Sequence, residues 1–360
     1  LHFEPAEISV SDYLDFWFSE YVVLNLKYNT QLNYKGQIEN HIKVELGKYK
    51  LSSLSPAAIQ KFINNLKLKG LSKSTLTGIK TTLSASLDYA VEPLQYISYN
   101  PCKSVKIPKY EENKNETRFV ISKKDFSTIL DYFDETNQFY IPLLLGYYCG
   151  FRIAETFALT WEDIDLDKAT ISINKTVCKR YQDMKNQKDM LGWYFNTTKT
   201  KSSNRVIKIN KSVVEALKKE KKRQMENRLY YGEHYTRLYK RDEIDEKNNT
   251  VKKIVEINSN DNISLEEINL ICRKANGEYL TVDSFKYCSR IIRKKLNIKF
   301  NYHSLRHTHT TLLLEHGASI KAVQKRLGHS NIDTTLNVYS HLTEKIENET
   351  VDIIEDIMIK

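Results

Sequence analysis

The sequence predicts a mainly α protein with a small antiparallel β-sheet, arranged as an N-terminal helical bundle followed by an α+β domain. Three observations carry this. Residues 10–100 place apolar side chains at helical spacing almost without a break; a polar stretch with two prolines, "NPCKSVKIPKYEENKNETR" (100–118), ends the pattern; and beyond residue 119 helical segments alternate with short β-branched ones. At 360 residues, with 41% apolar and 28% charged residues, the chain is long enough for two cores and has an ordinary globular balance. The expected layout is a helical domain over 1–108, a linker over 109–118, a second domain over 119–342 and a tail helix over 343–360.

Each element has a local reason. "SVSDYLDFWFSEYVVLNL" offers Ser11 as a cap and Tyr13, Leu14, Trp17, Phe18 and Tyr21 as one apolar face. "NTQLNYKGQIENHIKVELG" is a second helix, ended by Gly47 in a left-handed turn. "SPAAIQKFINNLKLKG" starts with Ser55 capping and Pro56 at the first helical position and ends at Gly70; "SKSTLTGIKTTLSASLDYAV" is a fourth helix. Past the linker, "SKKDFSTILDYFDE" is a capped helix and "FYIPLLLGYYCGFRIAETFALTW" a buried one interrupted near Gly146 and Gly150. "ATISINKTV" and "WYFNTTKTKSSNRVIKIN" alternate as strands do, the second with a polar turn at 199–204, so a small antiparallel hairpin or three-stranded sheet is expected. Residues 218–262, dense in charge, read as a long helix and a solvated insertion.

Composition narrows the function. No run of roughly 18 apolar residues occurs, and the start is neither basic nor apolar, so nothing in the sequence points to a membrane span or to secretion. Five cysteines, an odd number without a CxxC pair, argue against a disulfide framework and a zinc ribbon. Net charge is +10, although the tail carries Glu344, Glu347, Glu349, Asp352, Glu355 and Asp356 against Lys345 and Lys360. The body is therefore more basic than the total and favours a polyanionic partner such as nucleic acid.

One stretch concentrates chemistry. "HSLRHTHTTLLLEHG" (303–317) sets four of the nine histidines around Arg306. Histidines at helical spacing raise the possibility of a metal, but a guanidinium has no lone pair to donate and no Asp or Cys stands nearby in sequence. Ser304 or Asn301 caps this helix, which ends at Gly317. Ser319 caps "IKAVQKRL", which ends at Gly328 so that His329 emerges from a left-handed turn. Asn331 or Ser330 opens a third helix, "NIDTTLNVYSHL", with Ile332, Leu336 and Tyr339 on one face. Spacing thus puts His303, Arg306 and His307 on one surface, with His329 and Tyr339 at the ends of neighbouring short elements.

In this pattern the chain resembles the tyrosine recombinase (phage integrase) family, of the mobile-element integrase type. The family's signature is an arginine in Gly-x-Arg-x-x-Glu, a lysine on a β-hairpin, His-x-x-Arg, a histidine in Leu-Gly-His and a tyrosine about ten residues on. Those positions read here "GFRIAE" (Arg152, Glu155), "TKTKSSNR" (Lys199), "HSLRH" (His303, Arg306), "LGHSN" (His329) and "LNVY" (Tyr339). "GLSKSTLTGIKTTLSASLDYAV…NP" is similar to the family's SAM-like core-binding module, so the resemblance spans nearly the whole chain. The chain departs from the pattern in its charged 218–262 insertion. It also offers two lysines in the hairpin turn: Lys199 keeps the family's Lys-Thr step, and Lys201 is the alternative.

The resemblance implies site-specific cutting and rejoining of DNA through a covalent 3′-phosphotyrosine, the chemistry of type IB topoisomerases, with no cofactor and no metal. The implied catalytic residues are Arg152, Lys199, His303, Arg306, His329 and Tyr339, supported by Glu155. Two arginines can each make forked, permanently charged hydrogen bonds to the phosphate as negative charge builds on it. In this scheme Tyr339 is the nucleophile, Lys199 protonates the departing 5′ oxygen, His303 acts as acid/base or phosphate donor and His329 as a hydrogen-bond donor. His307, His309 and His316 match no catalytic position and are assigned structural roles, so His309→Asn is expected to leave cleavage nearly intact. The implied partners are double-stranded DNA at attachment sites, sister copies forming a tetramer on two such sites with the acidic tail docked between protomers, and an excisionase or DNA-bending protein; a membrane is not among them. The expected location is the bacterial cytoplasm, in association with the nucleoid. A start at Leu1 rather than Met leaves room for a preceding arm-binding domain. Taken singly, Tyr339 is one of 23 tyrosines and Lys199 an ordinary turn lysine. Their joint occurrence with the other motifs outweighs a metal-dependent nuclease and a non-catalytic DNA-binding regulator, the two alternatives.

Overall fold

The computed structural model of the chain describes residues 7–110, 119–184, 187–198, 201–245, 247–258 and 264–331. They fall into two compact units. One gathers the described residues of Leu1–Asn115, Lys179–Gly192 and Ile244–Thr250, the other those of Glu116–Cys178, Trp193–Glu243 and Val251–Lys360.

The first unit is built on α1 (Val10–Trp17), α2 (Tyr28–Gln37), α3 (Lys43–Leu46), α4 (Pro56–Leu68) and α5 (Lys73–Val91). Ser9, rather than Ser11, caps α1 by accepting from the Asp12 N–H, because the helix starts two residues earlier and Ser11 lies inside it. Two π-helical turns, Phe18–Val23 after α1 and Ile38–Ile42 between α2 and α3, extend the helices and turn Phe18, Val22, Ile38 and Ile42 into the core. Gly47 does not take a left-handed turn; its φ is −57° and it continues the helical geometry. Ser55 and Ser72 cap α4 and α5, with Pro56 at the first position of α4. The stretch read as the start of the linker packs back on this bundle. Cys102 and Val105 are buried, and the Asn100 side chain donates to Ser84 and Asp88 of α5.

The second unit holds α6 (Lys123–Tyr132), α7 (Tyr140–Cys149), α8 (Ile153–Thr156), α9 (Lys211–Tyr231), α10 (Ser284–Lys294), α11 (Tyr302–Glu315) and α12 (Ile320–Leu327). Its strands are β1 (Ile164–Asp165), β2 (Thr170–Ile173), β3 (Lys175–Asp183), β4 (Lys188–Thr197), β5 (Arg205–Lys208), β6 (Arg237–Ile244), β7 (Thr250–Ile257) and β8 (Glu266–Glu267), the tips of some grouping with the first unit. They form two antiparallel sheets, in the orders β1-β2-β5 and β3-β4-β7-β6-β8. The expected hairpin or three-stranded sheet is corrected in its membership: a three-stranded sheet does form, but from β1, β2 and β5, with β4 in the other sheet. β4 pairs with β7, placing Trp193 opposite Ile254, while β5 pairs with β2, placing Ile207 opposite Ile171.

The 218–262 stretch is corrected as well. After α9 it continues as β6 and β7, in which Leu238, Tyr239 and Ile254 are buried while charged residues occupy most of the other positions. A period-2 pattern with so few apolar members is hidden by its charges. Among the described residues no helix is long and apolar enough to cross a membrane, and all five cysteines are buried thiols.

At the centre of this unit α7 lies against α11. Pro142 fits within the first turn of α7, where its missing N–H has no intrahelical partner to lose. Gly146 does not interrupt the helix; it lets α11 approach, since a Cβ there would come 2.6 Å from Leu305 Cδ1 and 3.2 Å from Tyr302 Cζ. The Tyr302 hydroxyl bonds to Thr156 Oγ1 at 2.7 Å and donates to Pro142 O at 3.0 Å. Helix α7 does end at Gly150, in a left-handed turn with φ +68°.

This contact supplies a test of packing. Gly146→Ala is expected to lower the thermal midpoint by several degrees, because overpacking costs about 1–3 kcal/mol and outweighs the helix-propensity gain of about 1 kcal/mol. Gly36→Ala, in α2 with nothing within 4 Å of the new methyl, is expected to hold or raise the midpoint. Equal midpoints for the two variants by calorimetry would remove the close-approach argument.

Candidate active site

The site begins where α7 stops. The left-handed turn at Gly150 sends Phe151 into the core and leaves Arg152 extended, as the cap of α8. One turn on, Glu155 is 1% exposed and its carboxylate takes four hydrogen bonds. Oε1 accepts from Arg152 Nη1 at 2.8 Å and Arg205 Nη1 at 3.2 Å; Oε2 accepts from the Arg152 N–H at 3.0 Å and Arg205 Nη2 at 2.9 Å. Burial pushes this carboxyl up, but Arg205 and Arg152 outweigh it and hold the group below the usual carboxylate range. Glu155 is thus an ionised buried anion that fixes two guanidiniums.

Arg306 comes from the middle of α11, a helix capped by Asn301, whose Oδ1 accepts from the Ser304 N–H at 2.8 Å. It is 2% exposed and donates to Gly150 O and Leu327 O, both at 2.7 Å. One side chain therefore ties the end of α7 to the end of α12. Burial, then Arg152 and Arg205, push its pKa down to about 9, with Glu155 opposing them, so it remains cationic at neutral pH. Helix α12 is capped by Ser319 and ends at Gly328 with φ +66°, and His329 follows directly. Burial pushes the imidazole of His329 down to about 3, and Arg306, Arg152, Arg205 and His303 add to the effect. A neutral ring among cations is the result.

The structure thus brings Arg152, Glu155, Arg306 and His329 together. His303 is the exposed residue of the first turn of α11, its ring edge-on to His307 at 4.4 Å. Lys199, Tyr339, the third helix and the tail lie outside the described residues. Lys201 opens a short 3₁₀ turn, Lys201–Ser203, whose flanks are joined by a bond from Thr198 Oγ1 to Asn204 Oδ1 at 2.6 Å. Among the described residues no three His, Cys, Asp or Glu side chains gather as metal ligands would.

Three residues here escaped the sequence reading. Arg205 lies 50 residues from its partner Glu155, and its side chain is 5% exposed. Its signal was present: it shares a strand face with buried Ile207, where a charge requires a partner. Arg326 donates to Lys208 O at 2.9 Å, to Tyr148 O at 3.3 Å and to His309 Nε2 at 3.1 Å. His309 is structural, as expected, but not dispensable: it is 6% exposed, and its Nδ1 pairs with Tyr147 O at 2.9 Å. With Nε2 accepting from Arg326, Nδ1 carries the proton and the ring bridges α7 and α12.

Residues 120–345 match the model of the phage integrase family, and residues 9–67 that of the phage integrase N-terminal SAM-like domain. The chain belongs to the phage integrase family. This integrase is 27% identical over 363 residues to a tyrosine recombinase XerC-like protein of Caldanaerobacter subterraneus subsp. tengcongensis, a match covering 100% of the chain and 86% of that protein. It is also 27% identical over 368 residues to the integrase of Staphylococcus phage L54a, covering 96% and 92%. The Tn1549 transposon integrase, solved in complex with transposon right end DNA, shares the fold, with a TM-score of 0.69 at 21% identity over 92% of this chain and 95% of that one. The integrase is a site-specific tyrosine recombinase that cleaves and rejoins DNA in the integration and excision of a mobile element.

His309 replaces the expectation of indifference with a pH signature. Burial, with Arg326 next, pushes its pKa down to about 3, so the folded protein refuses a proton that the unfolded chain accepts near pH 6.5. Its contribution is intact above that pH and is lost as pH falls, by at most about 1.4 kcal/mol per pH unit. His309→Asn is expected to be less stable at pH 7, by about 1–3 kcal/mol for unmade buried hydrogen bonds. It should also lose stability less steeply between pH 6 and 4. Parallel curves from denaturant melts across that range would refute this.

Proposed function

We propose that Tyr339 is the nucleophile of strand cleavage and that Arg152, Arg306, His303, His329 and Lys199 act with it on one DNA phosphate. The tyrosine oxygen attacks phosphorus as its phenol proton passes to His303, the bond to the 5′ oxygen breaks, and Lys199 supplies the proton that makes a free 5′ hydroxyl. The 3′ end remains linked to the enzyme until a partner strand's hydroxyl reverses the step. Arg152 and Arg306 stabilise the charge that grows on the non-bridging oxygens; removing one such preorganised donor typically costs about 10²- to 10³-fold in rate. Neutral His329 donates one hydrogen bond, and exposed His303 is placed to exchange protons with solvent.

The observation that carries this reading is the meeting of Arg152, buried Arg306 and uncharged His329 about the Glu155 carboxylate. An anion bound beside these groups meets two fixed cations and a donor, and Glu155 stays committed to the arginines that orient it. The helical unit, read as the core-binding domain, and the catalytic unit both bind double-stranded DNA at attachment sites. Cytoplasmic, nucleoid-associated DNA and an excisionase or DNA-bending protein belong to the same reading. Exchange between two duplexes breaks four strands, and one nucleophile per protomer then requires a tetramer.

A groove of about 810 Å³ in the catalytic unit offers a seat for the tail of a neighbouring protomer. Phe126, Leu130, Leu312 and Leu313 provide its apolar surface, and Lys208 and Arg326 its charge. The tail sequence carries Ile346, Val351, Ile353, Ile354 and Ile357 among its acidic residues, which complements both features.

Two experiments test the reading. On a nicked attachment-site duplex in EDTA, the parent chain and Tyr230→Phe, changed at an 84%-exposed position, are expected to form a covalent protein–DNA adduct, and Tyr339→Phe none. Full adduct formation by Tyr339→Phe would sink the assignment, and cleavage that EDTA abolishes without any adduct would replace it with a metal-dependent nuclease. For the groove, Leu313→Glu and truncation after residue 342 are each expected to abolish tetramers on paired sites while single-site binding persists in gel shifts. Unchanged tetramer formation would overturn the docking proposal.

A further inference from the structure

We propose that Arg205 is a positioning residue for strand cleavage, holding the lysine-bearing turn after β4 in register with Arg152 and His329; this rests on the reading of a turn lysine as the general acid.

The geometry is that of a junction. Arg205 follows the turn directly and uses every nitrogen of its guanidinium. Nε donates to Arg326 O at 2.7 Å, Nη1 to Ser203 O at 3.0 Å and Glu155 Oε1 at 3.2 Å, and Nη2 to Glu155 Oε2 at 2.9 Å. One planar group thereby joins three pieces of chain: the turn through Ser203, the Arg152 cap through Glu155, and the end of α12 just ahead of Gly328 and His329. The contact with that last piece is tight. A Cβ on Gly328 would lie 3.0 Å from Ser202 O, 3.1 Å from Arg205 Nη1 and 3.1 Å from Ser203 Cα. The flanks of the turn are drawn together by the Thr198–Asn204 bond, and Lys199 and Lys201 both fall between those residues in sequence.

Exposed ion pairs contribute little and are often incidental. This one differs, because its side chains are 5% and 1% exposed and the contact is bidentate. A lysine could keep the charge at this position but could not serve three diverging acceptors, having one ammonium on a flexible stem. The placement of the acid is therefore expected to depend on the arginine fork, and charge alone is expected not to preserve it.

The test separates this role from general damage through the leaving group. A DNA strand whose bridging 5′ oxygen is replaced by sulfur departs as a thiolate and needs no proton, so it relieves a missing or misplaced general acid and leaves a phosphate-binding defect untouched. Single-turnover cleavage of both substrates is measured for Arg205→Lys, Thr198→Val, Lys199→Ala and Lys201→Ala, with folding followed by thermal melts and DNA affinity by gel shift. Arg205→Lys is expected to lose about 10²-fold on oxygen DNA, the scale of a general acid's contribution, and to recover most of that on sulfur DNA, as the responsible lysine variant does. Thr198→Val, which opens the turn without touching a buried charge, is expected to show a smaller loss with the same recovery; it keeps the test decisive if Arg205→Lys fails to fold. Equal losses on both substrates for Arg205→Lys, or for Thr198→Val in its place, while a lysine variant recovers, would overturn the proposal and leave the general-acid reading standing. If neither lysine variant recovers on sulfur DNA, the general-acid reading fails, and the role of Arg205 in it fails too.

Discussion

The buried carboxylate of Glu155 is the constraint on which the rest of the site depends. An ionised side chain shielded from water costs several kcal/mol unless the surrounding structure replaces its lost hydration. Here Arg152 and Arg205 do so with four hydrogen bonds, supplied from both sides. Removing any member leaves a buried charge uncompensated, so the three residues hold their places together. Arg152 is thereby fixed by its partners rather than by its own packing, which suits a side chain that is 38% exposed.

A second constraint is laid over the first. Arg306 reaches the carbonyl oxygens of Gly150 and Leu327, and Arg205 reaches that of Arg326, so two cations meet the C-terminal end of α12. Helix ends carry unsatisfied carbonyls and partial negative charge, which favours cations at this position. The left-handed turns at Gly150 and Gly328 let both helices stop there, and Arg152 and His329 issue two residues and one residue later. Burial, with these cations adding to it, keeps the His329 ring neutral, so its hydrogen-bonding state does not vary across the physiological pH range.

Much of this was legible in the sequence, for a physical reason. Ser55, Ser72, Ser319 and Asn301 act on the helix that follows within three residues, and Gly150 and Gly328 on the one that precedes, so each leaves a local mark. Arg152, Glu155, Arg306 and His329 were found because the family's short motifs, each contained within a few residues, match at those positions. What failed was non-local. Strand β5 pairs with β2 and not with β4, β6 and β7 hid their alternation under charge, and Arg205 meets a partner 50 residues away. The contacts of His309 were hidden for a related reason. Its helical position is visible in the sequence, but its bonds to Tyr147 and Arg326 depend on how α7, α11 and α12 pack.

The crowding of like charges also bears on the protein away from its reaction. Arg152, Arg205 and Arg306 repel one another, with Glu155 as the carboxylate between them, and they add to the burial that denies His329 its proton. The unliganded protein therefore carries this cluster of cations as a burden on its own folding. A phosphodiester settling among these groups relieves that repulsion, and whatever binds only the folded state stabilises it by mass action. The recombinase released from DNA is then the form most open to proteolysis, and the DNA-bound form is the protected one. The electrostatics that serve strand exchange would in this way also favour clearance of idle enzyme in the cell.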